Sequence, residues 1–388
     1  MRLAWFRVHT EETVHADCGT PLVDALRSSH AIDVFNEASA HDFVWKHFRD
    51  PYDLAVYELD NTAQHQFIWP YVFHYPGLLW LRTNTLHGSR AAELEQQHRL
   101  DDYALEFAFN HGRSPVMSGR PRFVGRGEWP MLRAPLVASK MVVVSQATMA
   151  ALLALEYPEA RIRHVPPGVE RPGTTNKDGR EMVVFGVVGR SRLSIERALE
   201  RARLSGANAQ LHVSRSVEEL TEKIDVVVAC DWPSTGEPLT TALAGMAAAK
   251  PVIVFETDET AGWQALDPQT WRPRGFGESR PMVVSIDARD EEHSLTLAIR
   301  RLAEDSALRA ELGAAGHAWW RAHATMAHTV NAWNQLLTEA RSAPPPAYPP
   351  GWPGHLTADG TELAKKLLAE FDQEFDLLIG TRAGPQGM

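Results

Sequence analysis

The sequence predicts an α/β protein of two parallel-sheet domains with a C-terminal helical extension. Three observations carry this prediction. Apolar runs of four to seven residues alternate with helical patterns over residues 1–340, as expected of strands covered on both faces by crossover helices. Pro166-Pro167-Gly168 and the polar segment 171–180 interrupt the series, which then restarts. The stretch Ser234–Phe255, STGEPLTTALAGMAAAKPVIVF, joins a turn, a small-residue helix and an apolar strand behind the buried run Asp225–Cys230.

The elements follow in order. Strands are expected at Arg2–Phe6, Ala31–Phe35, Leu54–Leu59, Leu78–Leu81 and Met141–Ser145, where short apolar runs end at polar or turn residues. Helices are expected at Pro21–Ser28, Ala63–Phe73, Ser89–Asn110 and Ala147–Glu156. Gly112 to Pro135 is rich in Arg, Gly and Pro and reads as a long irregular loop, either functional or simply mobile. Past the linker, strands are expected at Val183–Val188, Gln210–Val213, Asp225–Cys230, Pro251–Phe255 and Met282–Ile286. The matching helices are Ser194–Leu204, Val217–Lys223, Leu239–Ala249, Ser294–Ala303 and Ser306–Ala324. Trp319 and Trp320 on the last of these are read as core. Pro344–Pro353 reads as a stiff spacer of polyproline II type. Thr361–Ile379 is an amphipathic helix that docks on the body or on a second subunit, so a homo-oligomer through it is one expectation.

Composition narrows the function. A 388-residue chain with 44% hydrophobic and 9% aromatic residues can bury a core in each of two domains. A formal net charge of −10 argues against a nucleic-acid binder. Cys18 and Cys230 stand far apart and make no disulfide framework. The first thirty residues hold no apolar leader core, and no run reaches transmembrane length, so a cytoplasmic protein is expected. No Gly-x-Gly-x-x-Gly follows a first strand, which removes the nicotinamide fingerprint. The 17 histidines include no His-Glu-x-x-His, and His317, His323 and His328 lie six and five residues apart, off any shared helix face. No metal site is expected. Ser145 lacks the Gly-x-Ser-x-Gly elbow of a hydrolase.

The Ser234–Phe255 stretch has the chemistry of an anion site. Thr240 and Thr241 stand in the first turn of a helix whose N-terminal N–H groups and dipole suit a phosphate. Glu237 precedes that helix at the carboxyl end of a parallel strand, where open α/β sheets place ligands. Glu237 fits a carboxylate for sugar hydroxyls, or a charge that steadies the helix dipole by about 0.5 kcal/mol. Arg190 and Arg192 follow the strand Val183–Val188 and fit a bidentate phosphate grip, or a solvated basic turn.

Pro233-Ser234-Thr235-Gly236-Glu237-Pro238-Leu239 resembles the donor motif P-T-x-G-E-[TP]-[SL] of the retaining GT-B glycosyltransferases of family four, a bacterial subgroup in particular. Four further stretches match in order: His15–Leu26, Tyr57–Pro70 with Asn61 and His65 in register, Pro76–His87, and Val142–Glu170. The resemblance implies two Rossmann-like domains facing across a cleft. It places an acceptor-side domain at 1–168, a donor-binding domain at 169–326, a helix crossing back at 327–342, and a linker and helix at 343–388. It implies hexose transfer from a nucleotide-diphosphate sugar of UDP or GDP type to an unidentified acceptor hydroxyl (glycan, lipid, protein or metabolite). Retention is implied, with no resident cofactor. Gly236, Pro238, Leu239, Thr240 and Thr241 would hold the donor with Arg190 and Arg192. Asp17 and Gly19 would lie on the acceptor side.

The sequence departs from that family at four places, one of them the missing Lys at the second basic position beside Arg190 and Arg192. Arg82 and Thr83 stand where Leu-His-Asp is common, with His87 further along, so Arg82 and His87 join Glu237 as candidate catalytic residues. Gly245 replaces a second Glu. The first strand–helix loop holds one glycine, Gly19. A catalytically silent GT-B partner or scaffold is therefore the competing reading, and an epimerase- or phosphorylase-like member a third.

Overall fold

The structure is a computed structural model that describes residues 1–8, 19–117, 120–121, 129–172, 182–188, 192–214, 216–230, 239–274 and 280–369. The first half of the chain runs β1 (Arg2–Phe6), α1 (Gly19–Leu26), β2 (Ala31–Phe35), α2 (Asp42–Arg49) and β3 (Leu54–Leu59). A 3-10 turn, Ala63–Ile68, leads into α3 (Trp69–His74), β4 (Leu78–Leu81), α4 (His87–Gln96) and α5 (Leu100–His111). A two-stranded ribbon, β5 (Val116–Met117) with β6 (Arg120–Pro121), precedes α6 (Arg133–Ala138), β7 (Met141–Val144), α7 (Ala147–Glu156) and β8 (Ile162–His164). The second half runs β9 (Val183–Val188), α8 (Leu193–Leu204), β10 (Ala209–Ser214), α9 (Val217–Lys223), β11 (Val226–Ala229) and α10 (Thr240–Ala247). It continues through β12 (Val252–Phe255), β13 (Ala265–Leu266), β14 (Pro273–Arg274), β15 (Val283–Ile286), α11 (Glu291–Glu304) and α12 (Ser306–His323). α13 (Met326–Ser342) and α14 (Glu362–Ala369) complete it.

Two sheets result. The first, in the order β2-β1-β3-β4-β7-β8, is parallel throughout; the second, β10-β9-β11-β12-β15-β13-β14, is parallel except for the β13–β14 pair. β1 and β3 are fully covered by helices on both faces, so Leu54–Leu59 reads as an unbroken apolar run around one charged residue, Glu58. In each sheet the strand order reverses beside the first strand, between β1 and β3 and between β9 and β11. A crevice opens outside the carboxyl ends of strands at such points.

Four details depart from the sequence expectations. The helix expected over Ser89–Asn110 is two helices, broken where His98 takes a φ of 55°; Asp101 and Asp102 start a new N-terminus. The helix expected over Ala63–Phe73 opens as a 3-10 turn ahead of Pro70. The loop expected over Gly112–Pro135 contains the β5–β6 ribbon and ends in α6. Pro344–Pro353 is no free spacer. The Trp352 ring meets Phe73 and Phe109 at 5.9 and 5.3 Å, and the Tyr348 hydroxyl donates to the Phe73 carbonyl at 3.4 Å. Two aromatic rings in a proline-rich segment need apolar cover, and α3 and α5 supply it.

Past this strap, His355 Nε2 lies 2.8 Å from Glu106, and Leu356 is buried. Ahead of it, α13 lies against α1 and β3 of the first sheet. Trp333 on α13 packs between Trp5 and Trp80 at centroid distances of 5.3 and 5.1 Å. Among the described residues no helix is long and apolar enough to cross a membrane.

Candidate functional site

The carboxyl ends of both sheets border one cavity of about 450 Å³. Asn84, Gln146 and Thr148 line it from the first domain, and Leu239, Glu256 and Thr260 from the second. Glu259, also in the lining, accepts a hydrogen bond from the Thr148 hydroxyl across it; burial pushes this carboxyl above its ordinary pKa, the Thr148 bond opposes that, and Asp258 adds to it.

On the second domain, Leu239 is the N-cap of α10 and makes no side-chain cap, so the first-turn N–H groups of Thr240 and Thr241 have no acceptor from their own helix. Thr240 is buried and Thr241 half-buried. Gly245 packs directly on the sheet: a Cβ there would come within 2.7 Å of Val227 and 2.9 Å of Val252. A glutamate at 245 would therefore strike the sheet rather than reach a ligand, which explains why this position carries no side chain. Arg192 caps the route between strands. Its guanidinium donates to the Cys230 carbonyl at 3.1 Å, pairs with Glu291 at 3.2 Å, and lies over the Phe255 ring. It bridges the carboxyl ends of β9 and β11 to the start of α11. Arg190, Gly236, Glu237 and Pro238 lie outside the described residues.

On the first domain, the carboxyl ends of β1, β3 and β4 carry a cluster of which sequence reading singled out Arg82 alone. Glu58 pairs with both Arg7 and Arg82, all three largely buried. Arg7 also donates to the Thr20 hydroxyl at 2.7 Å. Gly19 opens α1 against this cluster, and a Cβ there would fall 2.8 Å from Arg7 Nη2 and 3.0 Å from both Glu58 carboxylate oxygens. The close approach explains the single glycine of the loop; Asp17 lies outside the described residues. A charged residue inside an apolar strand run was the available signal for Glu58.

The structure brings Arg82 to this edge but not His87. His87 is fully buried, its Nε2 3.0 Å from the Tyr103 hydroxyl and its ring stacked on that of Tyr103. It packs α4 on α5 and presents no surface to the cleft. Thr83 is buried as well. Asn61 accepts from the Ser89 N–H at 3.1 Å and so caps α4, and His65 bonds Thr62 at 2.8 Å. Burial holds the His65 imidazole below its ordinary pKa, against the pull of Asp60 and Glu58. Among the described residues no group of three His, Cys, Asp or Glu side chains is arranged around a metal site.

No family model matches the chain, and no curated protein matches its sequence. Solved structures do. The Anabaena protein HepE in complex with UDP is 10% identical, with a TM-score of 0.55, over 87% of this chain and 100% of HepE. The HepE complex with UDP and glucose gives 0.54 at 10% identity, and that with UDP-glucose 0.51 at 12%, each over 87% of this chain and 99% of HepE. At this identity the likeness concerns architecture: the chain has the GT-B fold, two Rossmann-like parallel-sheet domains facing across a cleft.

Proposed function

We propose that the protein is a glycosyltransferase that moves a hexose from a nucleotide-diphosphate sugar to an acceptor hydroxyl. The carrying observation is the cavity between the carboxyl ends of two parallel sheets, entered by the N-terminus of α10. That arrangement suits a diphosphate leaving group, whose growing charge the helix N-terminus and Arg192 stabilise. The HepE complexes favour UDP over GDP as the first nucleotide to try.

In this reading Leu239, Thr240 and Thr241 receive the diphosphate, and Arg190 and Gly236 serve the same donor. Glu237 holds the sugar hydroxyls. The bond from the anomeric carbon to phosphate breaks through an oxocarbenium-like state. The acceptor oxygen attacks from the same face, and its proton passes to the departing phosphate, so the outcome is retention, without a resident cofactor or metal. Arg82, held against Glu58, is the basic group that the first domain sets toward the sugar; His87 has no part. Residues 1–168 would serve the acceptor, in the cytoplasm of a bacterium.

One observation favours the silent-partner reading: the position that carries His in the resembling family is an arginine already paired with a buried glutamate. Thermal-shift and calorimetric titration with UDP, GDP and UDP-glucose separates the two. UDP at a hundredfold excess over its dissociation constant should stabilise the protein by about 2.7 kcal/mol. Glu237→Ala should leave UDP binding in place and weaken UDP-glucose by about tenfold, roughly 1.4 kcal/mol. No response to any nucleotide would sink the transferase reading.

A further inference from the structure

The two tryptophans expected in the core part company. Trp320 is buried and donates its indole N–H to the Val169 carbonyl at 3.1 Å. Trp319 is half-buried at the surface, its ring 5.4 Å from Trp263 at 52° and 5.2 Å from His323. Beside it opens a cavity of about 580 Å³ on the flank of the second domain, within the range of ligand sites. Ala314, Ala315 and Ala318 line it from α12, and Gln264, Arg280 and Glu311 supply its polar groups.

This lining has a definite chemistry. An indole face and neighbouring methyl groups suit the apolar C–H face of a pyranose ring. A guanidinium, a carboxylate and an amide offer donors and acceptors for ring hydroxyls, with no net charge to select an ion. The Gln264 side-chain oxygen is buried without a hydrogen-bond partner among the described residues. The cavity also adjoins the cleft. Thr260 lines the interdomain cavity and Gly262 this one, and Cα atoms two residues apart are separated by at most about 7 Å. The turn between them is fixed by the Trp263 N–H donating to the Thr260 carbonyl at 2.9 Å.

We propose that the Trp319 cavity is a second carbohydrate site, which holds pyranose rings of an oligosaccharide acceptor away from the end that is glycosylated. The acceptor role rests on the glycosyl-transfer reading; binding of sugar does not. The test is calorimetric titration of the full chain with maltotetraose, cellotetraose and chitotetraose, with UDP thermal shifts alongside. At least one should bind with a Kd on the order of 1 mM. Trp319→Ala should weaken that binding by about tenfold or more. Ala318→Arg, which fills the cavity from an exposed helix position, should do the same without disturbing the fold. The UDP response should survive in both variants. No binding of any of the three by the wild type, or binding indifferent to both substitutions, overturns the proposal. Sugar binding that depends on Trp319 in a protein deaf to UDP supports the site and removes the transferase reading instead.

Discussion

At the residue scale, Arg90 is a charge held on three sides. It donates to both oxygens of Glu106, at 2.7 and 2.5 Å, and to Glu93 at 2.6 Å, all buried between α4 and α5. Burial alone would raise the Glu106 carboxyl, but Arg90 and His355 hold it below its ordinary value. A lowered carboxylate contributes stability above its unfolded pKa, and that contribution fades as pH falls through the folded value. Arg90→Ala removes the cation and leaves two buried carboxylates, so it should cost about 3–5 kcal/mol at neutral pH. Urea denaturation at pH 7 and pH 5 checks this: the loss should shrink at pH 5, where Glu106 can take up a proton. A constant loss at both values would show that packing, not charge, dominates. None of this was legible in the sequence. Arg90, Glu93 and Glu106 look like the polar face of a surface helix, and only the fold of α5 back onto α4 buries them. Glu58 and Arg7, and their pairing with Arg82, escaped notice for the same reason, since the β1-β3-β4 neighbour order alone brings the three together.

At the element scale, β1, β3, β4 and β9 were read to the residue and β7, β11, β12 and β15 to within one residue at either end, because a buried parallel strand is a short apolar run with polar ends. β8 was missed, since at a sheet edge Ile162–His164 is largely exposed and carries little apolar signal. The break between α4 and α5 was missed because the helical period runs on through it. The strap over Pro344–Pro353 was misread from its prolines, whose composition describes chain stiffness and not the two aromatic rings set among them. Trp352→Ala should destabilise the protein by about 2 kcal/mol and speed proteolytic cutting between residues 343 and 361, followed by mass spectrometry. Unchanged digestion would mean that the His355–Glu106 contact holds the strap by itself.

At the scale of the whole molecule, the GT-B architecture was readable from the alternation of elements and the order of motifs, whereas the first-domain half of the cleft was not. Arg192, Leu239, Thr240 and Thr241 stand at the carboxyl edge of the second sheet because the strand–turn–helix pattern is local. Asn84, Thr148 and Glu259 come together only when two domains close. The Thr148–Glu259 contact spans the cleft and has a pH signature. A carboxyl whose folded pKa is raised binds extra protons when folded, so its stability is lost as pH rises through that value. Glu259→Gln keeps a hydrogen-bonding group without the charge. Its melting temperature, scanned from pH 5 to pH 8, should exceed the wild type's increasingly toward pH 8. Parallel curves would show that Glu259 does not titrate in the closed molecule.

Trp333 and the strap have a consequence for biosynthesis. Both follow the second domain in the chain, yet they cover the first sheet and the helices around it. On the ribosome the first domain emerges with these faces bare, and the residues that seal them follow only after the second domain has been translated. At about 5–20 residues per second, that leaves apolar surface open for roughly eight seconds or more. Nascent-chain chaperones have that interval in which to act, and a prematurely terminated chain never leaves it.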